Sequence, residues 1–171
     1  VCHIGSKKVV ASLRHYDLPA TTDTTDEDEE MEYPMSVEAV GFSPSQPNWC
    51  ATGGVDGKLK IWDLTIDGHS RQVCAPATAE IVDSITRIPW PPTLPFVFAA
   101  TINGSVRVWD ARNGTLMHTL TSGATSDQIN DMDIQFLPDG TAVIVAASDD
   151  NTVRVFEVNV NALAKAPPTA A

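Results

Sequence analysis

The fold is decided by the stretch Val55-Asp56-Gly57-Lys58-Leu59-Lys60-Ile61-Trp62-Asp63, or VDGKLKIWD. The same pattern returns as INGSVRVWD at 102–110 and, with Phe-Glu in place of Trp-Asp, as DDNTVRVFE at 149–157. Trp62, Trp109 and Phe156 are spaced 47 residues apart. A fixed period of this length indicates that one structural unit is repeated along the chain.

Each copy of this stretch is typical of a tight turn followed by a β-strand. Asp56-Gly57 and Asn103-Gly104 are pairs that tolerate the positive φ angles of a two-residue hairpin, and Asp150-Asn151 is a weaker version. Beyond the first turn, Leu59 and Ile61 alternate with lysines, which predicts a strand with one apolar and one polar face. The turn therefore joins this strand to an antiparallel partner that precedes it.

Outward from the stretch, the same alternation and turn signals predict four short strands in each repeat. No segment shows a convincing helical period, so we expect an all-β fold with almost no helix. The predicted first strands are 37–42, 85–90 and 132–136, the second strands are 49–52, 96–101 and 143–147, and the fourth strands are 71–74 and 116–120.

Four antiparallel strands in about 40 to 50 residues, ending near Trp-Asp, resemble the WD40-repeat β-propeller family. The resemblance implies about three and a half four-stranded blades, which are too few to close a ring, because a closed propeller needs about four to eight blades. The chain is therefore interpreted as part of a seven- or eight-bladed ring. The remaining blades of its own propeller are then an expected partner of this chain. No Gly-His pair precedes the first strand of a full repeat, so the bracing that this His supplies in the family must come from elsewhere.

The repeats divide the chain into consecutive segments. Residues 1–15 are interpreted as the end of a preceding blade and 16–35 as an acidic insertion between blades. Two blades follow at 36–82 and 83–127, then a last blade at 128–158 that lacks its outer strand, and a C-terminal tail at 159–171. The first residues include no initiator Met and no secretory signal, which indicates part of a longer protein.

Negative charge is concentrated in the insertion. Acidic residues outnumber basic ones by 22 to 11, the net charge is -11, and no Lys or Arg lies between Arg14 and Lys58. In propellers such insertions open on the same side as the Asp-Gly turns, so we expect one acidic face that attracts a basic polypeptide. Alternatively, each turn Asp only caps its own hairpin and the insertion is a solvated loop. The candidate partner-binding residues are Glu38, Asp56, Asp149, Asp150, Asp26, Glu27, Asp28, Glu29 and Glu30.

Other function classes find little support in the sequence. The same acidity disfavours direct binding of nucleic acid, whose phosphates would be repelled. Because the common nucleophile, phosphate-loop and metal motifs are missing, we expect no catalysis, no cofactor and no metal site. No apolar run is long enough to cross a membrane. Three cysteines whose spacings fit neither disulfides nor zinc predict reduced thiols, hence a cytoplasmic location or also a nuclear one.

Three stretches are similar to the C-terminal blades of the angio-associated migratory cell protein group, which includes the fungal WD-repeat chaperone of ribosome assembly. They lie at 36–42, 104–114 and 148–158. The resemblance implies a dedicated chaperone that holds the basic N-terminal segment of a newly made large-subunit ribosomal protein on its acidic face. Two alternatives stay open: a generic WD-repeat scaffold or adaptor in a multi-protein complex, and a histone-binding propeller.

Overall fold

The structure is a computed structural model that describes residues 2–3, 8–9, 12–16, 36–65, 70–74, 83–93, 95–121, 127–163 and 165. Within these residues the chain forms three antiparallel sheets, a two-stranded ribbon and one helical turn. The ribbon pairs β1 (Cys2–His3) with β2 (Lys8–Val9). The all-β architecture predicted from the repeat is confirmed.

In each sheet the strands lie side by side in chain order. Sheet I contains β3 (Val37–Phe42), β4 (Trp49–Gly54), β5 (Leu59–Asp63) and β6 (Ser70–Cys74). Sheet II contains β7 (Ile85–Arg87), β8 (Phe96–Thr101), β9 (Val106–Asp110) and β10 (Thr115–Leu120). Sheet III contains β11 (Ile129–Phe136), β12 (Thr141–Ser148) and β13 (Val153–Asn159), after which the chain turns into α1 (Val160–Leu163). The described part of the chain has no helix with the length and apolar character needed to cross a membrane.

Two first strands differ in length from the prediction. β7 ends at Arg87, three residues early, because Pro89 has no backbone N–H to donate to a sheet; its carbonyl instead accepts a hydrogen bond from Phe98 N at 3.1 Å. β11 begins at Ile129, three residues before the predicted start. The polar residues 130–131 interrupt the apolar alternation there, which hid the beginning of the strand.

The sheets stack face to face around two apolar layers. Leu59 and Ile61 of sheet I pack with Trp109 in the first layer. The opposite face of sheet II contributes Phe98 to the second layer, where it meets Ile144 of sheet III. Full burial of side chains of this size stabilises a fold by about 1.5 to 3 kcal/mol each. The period-two alternation therefore supplies sheet II with two buried faces, one for each neighbour.

Each outer face of this stack carries exposed apolar side chains and lacks a covering sheet among the described residues. Val40 and Phe42 are exposed on sheet I, and Val153 and Val155 are exposed on sheet III. The two valines of sheet III stand one repeat after the buried valines of β9. Further blades of a propeller ring would pack against these two faces.

The three repeated turns lie at the same end of the stack. Gly57 and Gly104 have φ angles of +70° and +72°, and Asn151 adopts the same left-handed conformation at +63°. A Cβ at position 57 would also lie 3.1 Å from the carbonyl oxygen of Asp83 in sheet II. We call this end of the stack, formed by turns 55–58, 102–105 and 149–152 and by the starts of β3, β7 and β11, the upper rim.

Candidate functional site

Each innermost strand carries a β-bulge at the same place on the upper rim. The pairing register shifts between Val37 and Ala39, and again at the equivalent points of β7 and β11. The residues left out of the ladder are Glu38, Thr86 and Asn130. A bulge re-aims a side chain away from the regular pleat. The repeat therefore presents one variable polar side chain per sheet at equivalent positions.

The three bulge residues line one cleft of about 490 Å³. Sheet II adds Arg87, and the turns of sheets I and II add the apolar side chains Val55 and Ile102. A cleft with residues from all three sheets requires that their turns face the same side. This mixture of charged, polar and apolar groups suits a flexible polar chain with aliphatic side-chain stems.

Backbone hydrogen bonds fix the walls of this cleft. Val55 N donates to the carbonyl of Ser36 at 3.3 Å in sheet I, and Ile102 N donates to Ser84 at 2.9 Å in sheet II. The turn of sheet III repeats the bond with a donor–acceptor distance of 3.0 Å. Each hairpin is thus tied to the entry of its own innermost strand, which limits the motion of the rim.

Two predicted site residues keep a carboxylate that no cation neutralises among the described residues. Glu38 is exposed in the cleft, where it accepts a hydrogen bond from the Ser36 hydroxyl. Asp149 is exposed beside the cleft and accepts a hydrogen bond from the Asn130 amide. Their positions on sheets I and III place negative charge on both sides of the cleft.

The other two predicted turn carboxylates are engaged in their own hairpins. Asp56 accepts a hydrogen bond from Lys58 N at 3.1 Å and lies 3.8 Å from the ammonium of the same lysine. Asp150 accepts from the Thr152 side chain and pairs with the Arg154 guanidinium. The hydrogen bond from Thr152, with a smaller effect of Arg154, lowers the pKa of the Asp150 carboxyl. Both aspartates thus cap their own hairpins, and a role for them in binding a partner stays a prediction.

The acidic run Asp26, Glu27, Asp28, Glu29 and Glu30 lies outside the described residues. The residues that flank the insertion are described, and they meet on the upper rim. The Tyr16 hydroxyl donates to the carbonyl of Ser36 at 2.7 Å and accepts from Val55 N at 3.1 Å. The chain therefore enters and leaves the insertion next to the cleft.

A histidine that the sequence interpretation assigned to the preceding blade braces sheet I. His15 is buried, its Nδ1 lies 2.7 Å from Thr52 Oγ1, and the Trp62 indole donates to the same oxygen at 2.8 Å. His15 Nε2 lies 3.5 Å from Asp56. The bracing of this blade was expected to come from elsewhere, and His15, which precedes the insertion, supplies it. Thr52 lies diagonal to Trp62 across the paired strands β4 and β5, and this pair of hydrogen-bonding side chains on one face is the signal that could have indicated a missing partner.

Burial, more than any other influence, lowers the pKa of His15, with the Asp56 charge acting in the opposite direction. The unfolded chain binds a proton at His15 more readily, so this residue stabilises the fold above about pH 6.5 and its contribution is lost as the pH falls through the lowered pKa. We expect His15→Gln to reduce the loss of stability between pH 7.5 and 5.5, measured by urea unfolding at each pH. An unchanged pH dependence in this variant would contradict the assignment.

Sheet II is braced by a different group, the ion pair of the buried Asp83 with the largely buried Arg107. Asp83 is 1% exposed and also accepts a hydrogen bond from Asn103 N at 3.1 Å. In sheet III, Arg154 is buried and lies 3.5 Å from the carbonyl of Gly104 in the adjacent turn. Arg107 and Arg154 occupy the same position of the repeat, and in sheets II and III they hold the upper rim where a histidine does so in sheet I.

A further ion pair, between Arg87 and Asp131, crosses from β7 to β11 beside the cleft. Arg87 Nε donates to Asp131 Oδ1 at 2.6 Å, and both side chains are exposed. The hydrogen bond from Arg87 lowers the pKa of the Asp131 carboxyl. Neither residue was predicted from the sequence, because only the packing of two sheets brings them together.

The repeated sheets, the upper-rim turns and the shared cleft are those of part of a propeller of the WD-repeat class. A family model described as "WD domain, G-beta repeat" matches residues 33–63, 64–110 and 114–157. The chain therefore belongs to the WD40-repeat family, and the assignment made from the sequence is confirmed.

Comparison with individual proteins agrees with this assignment. The chain is 30% identical to the angio-associated migratory cell protein of Homo sapiens over 149 residues, which cover 87% of this chain and 31% of that protein. It is 34% identical to THO complex subunit 3 of Arabidopsis thaliana over 101 residues, covering 58% of this chain and 30% of that protein. The crystal structure of Saccharomyces cerevisiae Sqt1 superposes with a TM-score of 0.61 at 21% identity, covering 80% of this chain and 34% of that chain, and shows the shared fold. The chain spans about a third of the length of these proteins.

Proposed function

We propose that this protein is a non-enzymatic chaperone that captures the basic N-terminal segment of a newly made large-subunit ribosomal protein on its upper rim. The observation that carries the proposal is the cleft lined by Glu38, whose carboxylate has no cation beside it among the described residues, and by Asn130, which donates a hydrogen bond to the Asp149 carboxylate. The candidate site residues Asp26, Glu27, Asp28, Glu29 and Glu30 belong to a segment whose two ends are anchored at that cleft. The ribosomal ligand itself is the one implied by the resemblance stated above.

The chemistry of the cleft supports a lysine- or arginine-rich ligand. Val55 and Ile102 offer apolar surface to the aliphatic stem of such a side chain while its charged end reaches Glu38. The net charge of -11 attracts the ligand from a distance and speeds its encounter with the rim. Both effects act on a basic polypeptide and oppose the binding of free nucleic acid.

Charge attraction also explains why the basic extension needs a chaperone and how the chaperone releases it. Basic extensions of ribosomal proteins bind RNA without selectivity, because each phosphate contact adds affinity regardless of sequence. Masking the extension on a carboxylate-rich rim prevents such contacts before assembly. Ribosomal RNA carries a denser negative charge than the rim, so it competes for the basic extension and releases it from the chaperone. No nucleotide hydrolysis or metal is required for this exchange.

Salt dependence tests the proposed charge recognition. A fluorescent Lys- and Arg-rich peptide is expected to bind in an anisotropy titration, and its affinity is expected to fall several-fold when the salt is raised to about 0.15 M, where charges are screened beyond about 8 Å. A peptide of the same length with Glu in place of the basic residues is the control and is expected not to bind. Equal binding of the two peptides would contradict the proposal.

A WD-repeat scaffold or adaptor in a multi-protein complex is a second candidate. It is favoured by the similarity to a protein named as a subunit of the THO complex. Affinity capture from a lysate at moderate salt, with identification of the bound proteins, separates the candidates. We expect one stoichiometric large-subunit ribosomal protein. A set of complex subunits would support the scaffold instead, and histones would support a histone-binding propeller.

We also propose that the protein acts in a reducing compartment, which is the cytoplasm alone or both the cytoplasm and the nucleus. Cys50 is a buried free thiol, and burial raises its pKa. A cysteine that stays unpaired fits a compartment that keeps thiols reduced. Fractionation of cells that express the tagged protein tests this location.

A further inference from the structure

We infer that Arg87 is a specificity-determining residue of the upper-rim cleft, an internal cation that occupies Asp131 until an arginine of the ligand takes its place. This inference rests on the proposed function. It assigns the cleft a preference for segments that contain arginine over segments that contain only lysine. Neither Arg87 nor Asp131 was among the candidate residues identified from the sequence.

The repeat places these two residues at equivalent positions. Arg87 directly follows the bulge residue Thr86 in β7, and Asp131 directly follows Asn130 in β11. Arg87 lines the cleft that also contains Glu38. A ligand side chain that enters the cleft therefore meets the Arg87–Asp131 pair next to the unpaired carboxylate.

The pair has the properties of an exchangeable contact. Arg87 and Asp131 side chains are 49% and 68% exposed, and ion pairs open to solvent add little stability. Asp131 Oδ1 also accepts a hydrogen bond from Met132 N at 2.9 Å, which holds the carboxylate in place when Arg87 leaves. Exchange of one guanidinium for another conserves both the charge pairing and the hydrogen bond.

The geometry favours arginine as the incoming group. The contact that must be replaced is a guanidinium N–H to carboxylate bond of 2.6 Å, and Oδ2 of Asp131 has no partner among the described residues. A ligand guanidinium can donate to both oxygens in parallel, whereas the ammonium of lysine is a point charge that lacks this fork. Lysine can still pair with Glu38, so it binds more weakly and is not excluded.

Removal of the internal cation tests the inference. We expect Arg87→Gln to tighten the binding of an arginine-rich peptide by about threefold to tenfold at low salt, because a competing and repelling charge is gone. Lys165→Gln removes the same charge from an exposed residue beyond β13 and is the matched control, with an expected change below about twofold. Arg87 is exposed, so thermal unfolding of this variant is expected to resemble that of the wild type.

A second variant tests the preference itself. The wild type is expected to bind the arginine-rich peptide more tightly than a lysine-rich peptide of equal length and charge, and Asp131→Asn is expected to remove this difference. Weaker or unchanged binding by Arg87→Gln would overturn the inference, as would an arginine preference that survives in Asp131→Asn. If the inference fails in this way but Glu38→Gln binds the basic peptide more weakly than the wild type does, the proposed function remains supported without it. If the wild type binds neither peptide, both are overturned.

Discussion

Replacement of Asp83 by alanine is expected to lower the free energy of unfolding by about 3 to 5 kcal/mol, the usual effect of removing one partner of a buried ion pair. Asp83 pairs with the Arg107 guanidinium and accepts a hydrogen bond from Asn103 N. In the variant, Arg107, whose side chain is only 14% exposed, keeps its charge without the carboxylate, and its buried Nη1 already has no hydrogen-bond partner among the described residues. The loss is therefore larger than that of the hydrogen bonds alone.

Denaturant unfolding followed by tryptophan fluorescence measures this loss. The matched control is Asp133→Ala, which removes an exposed carboxylate of β11 whose only described hydrogen bond is to the adjacent Ile134 N. We expect its effect to stay below about 0.5 kcal/mol, as for most surface substitutions. If the two variants are equally stable, Asp83 does not brace sheet II.

Charge reversal of Glu38 and Asp149 to lysine is expected to weaken the binding of a basic peptide by about tenfold or more at low salt. Both residues are exposed on the upper rim, so the fold should remain intact. Most of the effect should appear in the association rate, because rim charges act mainly on encounter. Surface plasmon resonance or stopped-flow fluorescence at two salt concentrations measures this association rate.

The control for this experiment is the double variant Asp133→Lys, Glu157→Lys. It changes the net charge by the same amount through two exposed residues of sheet III that lie away from the rim turns. We expect it to weaken binding much less, since screening shortens the reach of each charge to about 10 Å at 0.1 M salt. Equal losses in both double variants would show that net charge alone, and not the upper rim, attracts the peptide.

The sequence was sufficient to predict the features of the fold that depend on local pattern. The 47-residue period predicted the stacked sheets, and the alternation around Leu59 and Val106 predicted faces that are buried. Turn chemistry predicted the hairpins at Gly57 and Gly104, whose φ angles are positive. Each of these features is encoded within a few neighbouring residues, which is why a single sequence reveals them.

The features that depend on packing between distant segments were not predictable. His15 contacts Thr52 across 37 positions, and the acidic insertion between them conceals the relation. The Arg87–Asp131 pair joins two sheets, 44 positions apart. The bulges have no signal of their own, because Glu38, Thr86 and Asn130 share no residue type. Three-dimensional placement also determined which of the predicted carboxylates already have a cation beside them.

Location of the bound peptide tests the central claim, that ligand is held at the upper rim, most directly. A photo-reactive benzoylphenylalanine placed at Ile102 samples the cleft, and the same group at Leu137 samples the β11–β12 turn at the opposite end of the stack. The two native side chains are 39% and 38% exposed, which makes the sites comparable. We predict that a basic peptide cross-links efficiently at position 102 and only weakly at position 137. Equal cross-linking at both positions, or a stronger yield at 137, would contradict the account.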